Sequence, residues 1–153
     1  MTDCDFQIEQ HEDTRLTGHM HVQVVDLDGN PNSVLCCDKG GRVVVHWGLH
    51  GHLTRHLCGS FCVCVHMEGL GGAPDYDLET SCKNVEMEPC GDGHYEVTFD
   101  LPPNTQACEN LGCGGALYKI SVTLTSLDPC GNPGHIQAYC EAGTVMFARC
   151  AHE

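Results

Sequence analysis

From residue 116 to residue 126 the chain alternates with a period of two. Tyr118, Ile120, Val122 and Leu124 fall on one side, and Lys119, Ser121, Thr123 and Thr125 on the other. An extended strand throws successive side chains to opposite faces, so such a run reads as a strand with one buried face. The pattern recurs. Met20, Val22 and Val24 share a side of residues 19–25, and Val43, Val45 and Trp47 share a side of residues 42–48. Phe61, Val63, Val65 and Met67 oppose Cys62, Cys64 and His66. Tyr95, Val97, Phe99 and Leu101 oppose His94, Glu96, Thr98 and Asp100. Weaker strands are expected at 76–87, 135–141 and 143–149. Turn residues separate the runs, as in Asp28-Gly29-Asn30-Pro31, Gly91-Asp92-Gly93 and Pro102-Pro103-Asn104. No stretch carries a helical period.

Seven or eight short antiparallel strands at this spacing predict an all-β fold, a two-sheet β-sandwich with Greek-key connections. Trp47 and Tyr118 are its expected core anchors. In general plan the chain resembles an immunoglobulin-like sandwich, with Cys37, Trp47 and Tyr118 suggesting the cysteine, core tryptophan and corner tyrosine. No cysteine follows Tyr118 at the tyrosine-corner spacing, so the resemblance implies architecture alone. Residues 18–153 form the expected single domain. Residues 1–17 are read as an N-terminal arm, either flexible or able to add a strand to a sheet edge. Its apolar residues Phe6 and Ile8 could dock on a neighbour and Cys4 could bond across the interface.

Thirteen cysteines approach the density of a disulfide scaffold, and their number is odd. The N-terminus lacks a basic start followed by an apolar run, so neither a signal peptide nor a membrane span is expected. Three outcomes stay open: reduced thiols in a cytosol, metal binding, or oxidation outside the cell after export by another route or lysis. Adjacent Cys36 and Cys37 are expected to serve two different bridges. Cys108 and Cys113 are close enough in sequence for a local one. Cys82, Cys90, Cys130, Cys140 and Cys150 lie near strand ends or loops, where staples are usual. The formal charge of −14 repels phosphate backbones and excludes nucleic acid as a natural partner.

Histidine and cysteine concentrate between His46 and His66. Imidazole and thiolate are the preferred donors for zinc and copper. The expected metal ligands are His46, His50, His52, Cys62, Cys64 and His66. Cys62, Cys64 and His66 share one strand face, and His46 joins them only if its strand pairs with theirs. Two His-x-His pairs, His19–His21 and His50–His52, can each chelate an ion from one side of a strand. The string Gly48-Leu49-His50-Gly51-His52 resembles the copper-ligand strand of copper–zinc superoxide dismutase over five residues. That family's further histidines and aspartate have no counterpart in its spacing, so the resemblance does not reach activity. Nucleophile-elbow, phosphate-loop, ferredoxin and haem motifs are absent. The expected role is therefore non-enzymatic: a structural subunit assembling as a homo-oligomer or polymer, stapled by disulfides or metal. A zinc- or copper-binding protein is the alternative.

Overall fold

The computed structural model describes residues 2–8, 16–78, 80–110 and 115–150, without the side chains of Gln7, Arg55 and Asn110. Among these residues there are ten strands in two sheets. Three are short: β1 (Thr2–Asp5), β2 (Gln7–Ile8) and β4 (Val34–Cys36). The others are β3 (Thr17–Val25), β5 (Gly41–His50), β6 (Ser60–Leu70), β7 (Cys82–Glu86), β8 (His94–Leu101), β9 (Ala116–Leu127) and β10 (Pro133–Ala148). The first sheet has the order β1-β3-β5-β8, and the second β2-β10-β9-β6-β7, with β4 added parallel to β10.

The alternation sets the layers. Met20, Val22, Val43, Val45, Trp47 and Phe99 of the first sheet face Phe61, Val63, Val65, Ile120, Val122 and Leu124 of the second, all essentially excluded from water. Two half-apolar sheets closed face to face make a β-sandwich. Trp47 packs edge-on to Phe61 and stacks on Tyr95, with ring centroids 5.5 and 5.7 Å apart. Its Nε1 is the one buried side-chain polar atom without a partner among the described residues. Tyr118 is satisfied: its hydroxyl donates to Pro74 O at 2.5 Å and accepts from Asn104 Nδ2 at 3.0 Å.

Leaving aside the short strands β1, β2 and β4, the chain changes sheet three times, between β5 and β6, between β7 and β8, and between β8 and β9. Of the longer strands, β3, β5 and β8 are successive neighbours in the first sheet, and β10, β9, β6 and β7 in the second.

Two elements depart from the alternation. Residues 135–141 and 143–149, read from sequence as two strands, fall on the single strand β10 except for Arg149, which lies just past its end. A register shift between Glu141 and Gly143 inserts a bulge, and Gly143 takes φ 88° there. The extra residue flips the phase, so Ile136, Ala138 and Cys140 point inward before it and Val145 and Phe147 after it. A short helix, α1 (Thr105–Asn110), follows Pro102-Pro103. Buried Asn104 caps it by accepting from Ala107 N at 3.2 Å.

Residues 2–8 span both sheets. Thr2–Asp5 pair with β3, Phe6 N donates to Gly18 O, and Ile8 pairs with Ile136 of β10. Cys4 is bonded to Cys140 of the same chain, which ties the edge of one sheet to the other. The remaining bridges are Cys36–Cys150, Cys37–Cys108 and Cys64–Cys82. The adjacent cysteines do serve two bridges. The local Cys108–Cys113 pairing is replaced by Cys37–Cys108, and Cys113 lies outside the described residues. Cys90 and Cys130, expected as staples, are free, as are Cys58 and Cys62.

Candidate metal centre

Because β5 and β6 lie in different sheets, their outer faces point to opposite sides of the molecule. The six expected ligands are therefore split. His46 and His50 stand on the outer face of the first sheet, and Cys62, Cys64 and His66 on that of the second. His52 lies in the exposed 3₁₀ turn His52–His56. Cys64 is bonded to Cys82, which removes its thiolate from the set. His66 Nε2 lies 3.4 Å from Thr123 Oγ1.

A different set converges. On the outer face of the first sheet the strand register lines up two rows across four strands. One row is Asp5, His19, Gly48, His94; the next is Asp3, His21, His46, Glu96. His50 extends the surface beyond the first row, opposite Thr17. Five imidazoles thus come together from β3, β5 and β8, with carboxylates at both ends of the second row and at one end of the first. Four of them, His19, His21, His46 and His94, line an open cleft of ≈ 370 Å³ together with Trp47 and Tyr95.

Gly48 makes this possible. A Cβ at that position would stand 3.1 Å from His94 Nδ1 and 3.2 Å from His19 Cε1. The missing side chain lets the two rings lean over β5 toward His50. Ring centroids are 5.0 Å apart for His19–His21, 5.3 Å for His19–His50 and 6.0 Å for His50–His94. Two imidazoles on one tetrahedral zinc, each with Zn–N about 2.0 Å, hold their centroids about 5 Å apart. His19 and His50 lie stacked at 9°, so ligation requires one ring to turn about its χ2. No group of three donors among the described residues is already converged on one point.

The electrostatics favour a neutral ring at His19. His19 is held below its ordinary pKa, first by burial and then by His21, His50 and His94, with Asp3 opposing. Carboxylates address the Nδ1 atoms of the second row: His21 Nδ1 contacts Asp3 Oδ1, and His46 Nδ1 lies 3.8 Å from Glu96 Oε2. An imidazole whose Nδ1 is engaged by a carboxylate presents Nε2 as its donor, the usual orientation of a metal-bound histidine.

Sequence reasoning recognised His19 and His21 as a chelating pair and His46 and His50 as ligands, but did not join them. It placed His94 outward without a role. The usable signal was that three strand runs each carry outward-facing histidine. Comparison with known proteins finds no matching family model, no matching curated protein and no matching solved structure.

Proposed function

We propose that this protein is a non-enzymatic, disulfide-stapled β-sandwich that binds a transition metal ion, zinc or copper(II), on the histidine face of its first sheet. The two rows Asp5–His19–Gly48–His94 and Asp3–His21–His46–Glu96 carry the reading. Imidazole suits both ions, and the flanking carboxylates supply orientation and charge. The formal charge of −14 concentrates cations near the surface. The four disulfides support an oxidising, extracellular setting, where many thiols are consumed and imidazole is the durable donor. The crossing connections between the two sheets support a Greek-key wiring.

The test is isothermal titration of the metal-free protein with zinc and with copper(II), followed by native mass spectrometry. Stoichiometric binding lost in His21→Ala/His46→Ala, and kept in His52→Ala/His66→Ala, is the expected result. Equal binding by both variants, or no stoichiometric binding by the parent, overturns it.

A second reading, the self-assembling structural subunit, rests on residues 2–8. Their pairs with β3 and β10 and the Cys4–Cys140 bond form equally well between two chains that exchange these segments. A non-reducing gel decides it: chains linked through Cys4–Cys140 support exchange, and monomers with that bond intact refute it.

A further inference from the structure

The outer face of the second sheet carries a free thiol beside a disulfide. Cys62 and Cys64 stand two residues apart on β6, so they share a face, and Cys64 is bonded across to Cys82, its register partner on β7. Cys62 Sγ lies 3.9 Å from Cys64 Sγ. We infer that Cys62, Cys64 and Cys82 form a thiol–disulfide exchange site, in which Cys62 attacks Cys64 and releases Cys82.

The chemistry is balanced without an outside oxidant. Cys62 gives its proton to solvent, and the thiolate sulfur bonds to Cys64 Sγ. The Cys64–Cys82 bond breaks, and Cys82 leaves as a thiolate that takes up a proton from solvent. The product is a Cys62–Cys64 disulfide and a free Cys82.

Geometry permits both isomers. The starting separation of 3.9 Å is close to the about 3–3.5 Å of a near-attack arrangement, and rotation about χ1 of Cys62 closes the gap. Residues two apart on a strand have Cα atoms about 6.6 Å apart, near the about 6.8 Å upper limit for a disulfide. The cross-strand bond, with Cα–Cα 4.1 Å, lies just below the usual lower limit of about 4.4 Å, so each isomer sits near one end of the disulfide range. Access is open. The row neighbours of Cys62 are Asn84 and Thr125, and Cys64 faces Thr123 on its other side, so no large side chain covers the sulfurs. Cys62 and Cys64 are half-buried, whereas Cys82 is exposed on β7, the edge strand of the sheet. Exchange therefore carries the free thiol from a central strand to an exposed edge, where it meets a disulfide of another protein or a small disulfide.

The experiment is a trapping assay on the intact, non-reduced protein. Aliquots held between about pH 6 and 9, a range that spans the ordinary thiol pKa of about 8.5, are alkylated with iodoacetamide, unfolded and digested. Cleavage after Glu68 separates Cys62 and Cys64 from Cys82. Expected are two species: alkylated Cys62 with a Cys64–Cys82 link, and alkylated Cys82 with a Cys62–Cys64 link, the second growing with time and pH. In Cys62→Ser the Cys82 label falls to background. Labelling of Cys62 alone at every time and pH overturns the proposal. So does Cys82 labelling that persists in Cys62→Ser.

Discussion

Removing the Cys4–Cys140 bridge tests how the N-terminal segment is held. The perturbation is the double variant Cys4→Ala/Cys140→Ala, which leaves no stray thiol. Taken alone, a bridge over a sequence separation of 136 residues removes about 5 kcal/mol of unfolded-chain entropy. The Cys36–Cys150 bridge changes that reference. With it intact, the unfolded chain connects Cys4 to Cys140 through about 32 residues on one side and about 10 on the other, a loop of roughly 42 residues. The stabilisation then falls to about 4 kcal/mol. The side-chain losses are small: Cys140 is fully buried, and its truncation adds about 1 kcal/mol. The assay is urea unfolding without reductant, followed by tryptophan fluorescence. With a slope of about 2 kcal/mol/M, the midpoint moves down by about 2 M. A shift below about 0.5 M, which is about 1 kcal/mol, refutes the reasoning. It would mean that residues 2–8 stay attached in the unfolded ensemble or contribute nothing in the folded one. The variant has a second consequence at the candidate site, since Asp3 and Asp5 reach the histidine rows only while β1 is docked.

Four further outcomes follow. Phe61→Ala, which empties a site between Trp47 and Tyr95, destabilises by about 3–5 kcal/mol in thermal or urea unfolding, whereas Cys62→Ser, one residue away on the outer face, costs less than about 1 kcal/mol. Cys64→Ser, by contrast, severs a bridge of sequence separation 18 and costs about 3 kcal/mol by the same unfolding assay. Gly48→Ala displaces the His19 and His94 rings by a few tenths of an ångström, weakening zinc or copper binding in titration while the melting temperature holds. Tyr76, pushed up from its ordinary pKa by burial and by Tyr118, donates to Pro102 O; its contribution is full below the unfolded value of about 10 and is lost as pH rises beyond it, so alkaline unfolding is steeper in the parent than in Tyr76→Phe.

Acidification works in the opposite sense at His19. Its pKa is depressed in the folded protein, so the unfolded chain binds the proton more readily. The stability this neutral ring contributes is present above the unfolded value of about 6.5 and declines as pH falls through the folded one. Metal binding follows the same direction, because ligation requires neutral imidazole.

The strand faces were legible in the chain because side-chain alternation is a local property. Each of Val43, Val45, Trp47, Phe61, Val63, Ile120 and Val122 is buried where period two put it. The same rule marked His46, Cys62, Cys64 and His94 as outward. Local alternation says nothing of which strands become neighbours. His46 and Cys62 are separated because β5 and β6 belong to different sheets, while His21, His46 and Glu96 meet because β3, β5 and β8 pair in one register. Disulfide partners were undecided for the same reason: Cys37–Cys108 spans 71 residues, and only the packed sheets bring such ends within bonding distance. The sequence by itself determined the β class, the inward faces and the supply of imidazoles and thiols. The tertiary structure decided which of them share a surface, since sheet order and register depend on contacts between residues far apart in the chain.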